Sequence, residues 1–90
     1  MTSKERAQLR GQANTMQPIL QIGKNGLSEN SIKQIDDALE ARELIKITVL
    51  ETAGESTRDL AHEVAKEVNA EVVQVIGSKF VLYRKSKKVK

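Results

Sequence analysis

One run restricts the fold more than any other. Between residues 44 and 50, Ile45, Ile47 and Val49 alternate with Lys46 and Thr48, the two-residue period of a half-buried strand. On either side the apolar spacing becomes helical, with Ile32, Ile35, Ala38 and Leu39 before the run and Leu60, Ala61, Val64 and Val68 after it. A strand between two helices, with further strand-like runs beyond each, requires parallel pairing and right-handed crossovers.

The boundaries carry their own chemistry. Ser3 to about Met16 reads as a helix with a thin apolar stripe of Leu9, Ala13 and Met16. Pro18 ends it, because proline lacks an N–H and pushes Gln17 out of helical geometry. Ile19 to Ile22 reads as a short strand, broken by Gly23-Lys24-Asn25-Gly26. Ser28 can cap the next helix, which runs to about Arg42. Ser56-Thr57-Arg58-Asp59 resembles a capping box with Asp in place of the usual Glu, opening a helix that ends near Asn69. Val72 to Ile76 and Lys79 to Arg84 flank Gly77-Ser78, a two-residue loop suited to a type II′ hairpin. That turn pairs Val75 with Phe80 and Val73 with Leu82. These four residues are then expected on the core face, with Val72, Gln74, Val81 and Tyr83 on the opposite face and Tyr83 covering it.

The order is therefore α-β-α-β-α-β-β, an α/β (α+β) fold with a mixed four-stranded sheet covered by helices. Ninety residues suit one domain, here placed at 1–84, and residues 85–90 read as a disordered basic tail. With no cysteine, disulfides, thiolate metal sites and cysteine nucleophiles are excluded. No apolar run is long enough to span a bilayer, and none follows the basic residues of the first turn, so a cytoplasmic protein is expected.

Charge is distributed unevenly. Residues 1–24 carry Lys4, Arg6, Arg10 and Lys24 against Glu5 alone; residues 25–78 carry five bases against eleven acids; residues 79–90 carry six bases and no acid. If the fold joins the two basic ends, one face becomes positive and the other negative, the footprint of a protein that meets a polyanion in one orientation.

Gly23-Lys24-Asn25-Gly26 lies between a strand and a helix start, where glycine allows close backbone approach and free N–H groups favour phosphate. The run lacks the Gly-Lys-Ser/Thr ending of a nucleotide-binding P-loop and the three glycines of a dinucleotide fingerprint, so no nucleotide cofactor is expected. The lone histidine, His62, falls on the solvent side of its helix. With Asp59 and Glu63 as its neighbours it still lacks a nucleophile or a second histidine, so neither catalysis nor a metal site can be assembled. Phe80 and Tyr83 are the only aromatic residues, which leaves little for base stacking and points to phosphate, ribose and shape contacts.

Leu9-Arg10-Gly11, Ala13, Pro18, Ile22-Gly23-Lys24-Asn25-Gly26-Leu27, Ile35, Ala38-Leu39, Glu43-Leu44-Ile45-Lys46, Val75-Ile76-Gly77 and Val81-Leu82-Tyr83-Arg84 together resemble the CRM domain. This is the chloroplast RNA splicing and ribosome maturation domain, here similar to its stand-alone bacterial YhbY-like form. The resemblance implies a fold like the C-terminal domain of translation initiation factor three and a KH-like GxxG loop used on RNA. It further implies association with ribosomal RNA in large-subunit precursors. Asn14 and Arg42 stand where many relatives carry histidine, so no histidine role transfers to them. By resemblance the RNA contacts are Gly23, Lys24, Asn25 and Gly26; Arg6, Arg10 and Arg84 are added on charge and placement. A second reading is a protein-interaction module whose acidic helices dock a basic ribosomal protein.

Overall fold

A computed structural model describes residues 2–23, 27–54 and 56–85, and its helices begin where side chains can cap them. Thr2 Oγ1 accepts from the Glu5 N–H at 3.1 Å and opens α1 (Ser3–Ala13). Ser28 Oγ accepts from the Ser31 N–H and opens α2 (Glu29–Arg42). Ser56 Oγ accepts from the Asp59 N–H and opens α3 (Thr57–Val68), as the capping pattern predicts. Each bond satisfies one of the N–H groups that a first helical turn leaves unpaired. The strands are β1 (Leu20–Ile22), β2 (Leu44–Val49), β3 (Glu71–Ile76) and β4 (Lys79–Tyr83), with a short 3-10 turn at Glu51–Ala53. The chain order is the expected α-β-α-β-α-β-β.

The four strands form one mixed sheet in the order β1-β2-β4-β3. β1 pairs parallel with β2, while β4 runs antiparallel to both β2 and β3. Ile45, Ile47 and Val49 point to one face, where they pack with Ile35 and Leu39 of α2, Leu60, Val64 and Val68 of α3, and Phe80 and Leu82 of β4. The other face carries a smaller core of Ala13, Leu44, Val73 and Val81, with Leu9, Met16 and Tyr83 packed around it. α1 covers this second face, and Tyr83 covers it too, as the sequence suggests. Lys46 Nζ donates to the Met16 carbonyl at 3.2 Å and ties the end of the α1 segment to β2.

The hairpin departs from the expected register at one point. Val75 does face Phe80, but Leu82 is partnered by Val72, not Val73, because the register shifts between Val72 and Gln74. A β-bulge sets two residues against one and turns the extra side chain. Val72 therefore packs into the core beneath α2 and α3, and Val73 moves to the core beneath α1. The turn itself fits: Gly77 has φ +54° while Ser78 is not among the residues with positive φ, the combination of a type II′ hairpin. Among the described residues no helix is long and apolar enough to cross a membrane. The basic tail expected at residues 85–90 lies, beyond Lys85, outside the described residues.

Candidate nucleic-acid interface

The sheet separates the helices by charge. On one face α1 carries Lys4, Arg6 and Arg10 against Glu5; on the other, α2 and α3 carry seven acids against four bases. α1 also lies over Val81 and Tyr83 of β4, so the first segment does pack against the last strand. Arg6 and Arg10 are exposed and one helical turn apart, and neither side chain has an ion-pair or hydrogen-bond partner among the described residues. Free guanidinium groups at such spacing can each take a phosphate oxygen in a charge-assisted bond.

The Gly23 loop lies elsewhere. β1 is an edge strand, and Gly23 follows its last residue while Leu27 and Ser28 lead into α2. Lys24, Asn25 and Gly26 lie outside the described residues. Gly23 has a local reason to be glycine: a Cβ there would meet Leu50 Cδ1 at 3.3 Å, tighter than ordinary contact. Gly23 thus leaves the sheet close against Leu50 and Thr52, which follow β2. α2 begins at Glu29, and its capped N-terminus has its dipole oriented to favour an anion. No contact between α1 and β1 is prominent; α1 rests on β2 and β3. Arg6 and Arg10 are therefore grouped with each other rather than with the loop.

Arg84 corrects the sequence reading. It is buried, at 7% exposure, and faces the acidic helices, not the basic one. Its Nη1 donates to Asp36 Oδ1 at 2.5 Å and to the Val68 carbonyl at 2.7 Å; its Nη2 donates to the Asp36 carbonyl and to Glu40 Oε1, each at 3.1 Å. A guanidinium spent on two carboxylates and two carbonyls offers RNA nothing, so its basic charge is internal to the fold. Sequence reasoning also passed over Arg58. It stands one turn before His62 on the exposed side of α3, and the two border a cleft with Arg6. No local pattern marks that grouping, because its members come from two helices on opposite faces of the sheet. Among the described residues no cluster of three or more His, Cys, Asp or Glu could hold a metal ion.

Residues 1–84 match the CRS1 / YhbY (CRM) domain. The chain belongs to this family. Its CRM relatives include the Bacillus subtilis protein named "Probable RNA-binding protein YqeI", 46% identical over all of this chain and 94% of its own length. A Haemophilus influenzae protein named "RNA-binding protein" is 34% identical over 100% of this chain and 91% of its own. The solution structure of the SAV1595 protein of Staphylococcus aureus, 49% identical, superposes with a TM-score of 0.82 over all of this chain and 94% of that one.

Proposed function

We propose that this CRM protein binds RNA without chemistry, associates with large-subunit ribosomal precursors and takes part in ribosome assembly. It grips the RNA backbone through the Gly23–Gly26 loop together with Arg6 and Arg10. The observation that carries the reading is the arginine pair on α1, without side-chain partners among the described residues and set on the opposite side of the sheet from the acidic helices, in a chain whose relatives are named for RNA binding. The large-subunit assignment and the role of Lys24 and Asn25 rest on the family resemblance. The relatives are named for binding, not for a reaction, and His62 has no hydrogen-bonded base or nucleophile partner among the described residues.

The test replaces Lys24 and Asn25 together with Asp. Two carboxylates at the entrance to α2 suit the helix dipole, so circular dichroism should report an unchanged fold. Facing RNA, the same charges repel phosphate and exclude it from the loop amides. Affinity for ribosomal RNA fragments should fall at least about tenfold, or about 1.4 kcal/mol. Parent-like binding, with parent-like entry into large-subunit precursors, would reduce the loop to a turn.

A further inference from the structure

At the edge of the sheet opposite the Gly23 loop, β3 is bordered by both layers of helix. Arg6 reaches it from α1 on one face, Arg58 and His62 reach it from α3 on the other, and a cleft of about 490 Å³ opens between them along residues 70–75. Among the described residues β3 pairs only with β4, so its outer backbone groups face this cleft. Neither arginine side chain has a partner among the described residues. The bulge adds a further feature. Gln74 shares its register position with Val81 and so lies on the α1 side, where its Oε1 is buried without a hydrogen-bond donor, an arrangement that folded proteins rarely leave unsatisfied.

We infer that this cleft holds a single strand of the RNA that the protein binds, laid along the open edge of β3. The inference rests on the RNA-binding reading above and extends it to a second contact region. Arg6 and Arg58, one on each lip, take phosphates. The His62 ring and the guanidinium planes offer surfaces for an unstacked base, as arginine and histidine do in other single-strand sites. Gln74 lines the cleft, but its Oε1 is closed to solvent and to RNA alike, so it is not counted among the contacts. An extended peptide adding a strand is the competing occupant of any open edge. It fits less well, because the bulge at Val73 interrupts the ladder that such a peptide would need, and Arg6 and Arg58 place a cation on each lip, with Glu71 the carboxylate among the lining residues. The two edges of the sheet are about 14 Å apart at ~4.8 Å per strand step, so one RNA that reached both the loop and the cleft would have to span at least that distance.

The experiment uses the full chain and fluorescence anisotropy with an oligouridylate of about 12 nucleotides, beside a duplex of the same length. Arg58→Glu is the main variant; a carboxylate in the first turn of α3 suits the helix dipole, so the fold should be retained. Single-strand affinity should fall on the order of tenfold, and the slope of log affinity against log salt should lose about 0.7. Duplex binding should change less. The amides of residues 72–75 should shift in NMR spectra on adding the oligouridylate. Parent-like single-strand binding by Arg58→Glu, while the Lys24→Asp and Asn25→Asp double variant fails, would overturn the cleft and leave the loop reading standing. Edge amides that respond to an added extended peptide but not to RNA would also overturn it. Failure of the parent chain to bind either RNA would overturn both readings.

Discussion

The guanidinium of Arg84 joins three elements: it extends from the end of β4, holds Asp36 and Glu40 of α2, and caps the last turn of α3 through the Val68 carbonyl. Removing it would strand the Val68 carbonyl, which the end of α3 cannot satisfy by itself. Asp36 is 48% exposed and Glu40 20%, so solvent screens part of the ion-pair energy and the full cost of breaking a buried pair does not apply. Arg84→Ala should therefore destabilise by about 2 to 3 kcal/mol, read from urea unfolding, with RNA affinity per folded molecule unchanged. A loss of affinity at full stability would return Arg84 to the binding surface. Its partners lie 16 to 48 positions away in sequence. Nothing local distinguishes it from the exposed Lys85 beside it, and only the assembled fold separates them.

The helices and strands themselves were largely legible, because their signals are short range. Ser28 and Ser56 cap as their spacing predicts, Pro18 follows the first helix, and Gly77 supplies the positive φ of the hairpin. The bulge was not legible, since Val72 and Val73 have the same side chain and either can fill the face beneath α2 and α3. Their assignment is decided by what α1 needs. Val73 occupies the gap among Ala13, Leu44 and Val81, which a regular ladder would leave to Val72. Val73→Ala should cost about 2 kcal/mol. In double-mutant cycles it should couple to Val81→Ala by at least about 0.5 kcal/mol, and close to zero to Phe80→Leu on the other face. The reverse pattern would restore the unbulged register.

For the molecule as a whole, the expected separation of charge holds for the helices, yet among the described residues Arg84 does not extend the basic face of α1, because it turns inward. The loop was legible as a contiguous motif, whereas the β3 cleft, built from α1, α3 and a bulged edge, has no sequence signature. If five to seven cations meet phosphates, log affinity should fall against log salt with a slope of roughly −3.5 to −6. Deleting residues 85–90 removes four lysines, so it should flatten that slope and weaken binding to many RNAs alike. The thermal midpoint should barely move, since exposed Lys85 contributes nothing to either core. A salt-independent affinity would remove the electrostatic account. The strand order β1-β2-β4-β3 carries a last consequence, for biosynthesis. β4 is the final strand in chain order, yet it sits between β2 and β3, and among the described strands those two have no other bridge. A nascent chain leaving the ribosome N-terminus first can pair β1 with β2, but cannot close its sheet until residue 83 has emerged. Closure of the sheet should therefore wait until β4 is clear of the ribosome, and ribosome-bound chains stopped before Lys79 should remain open to protease throughout.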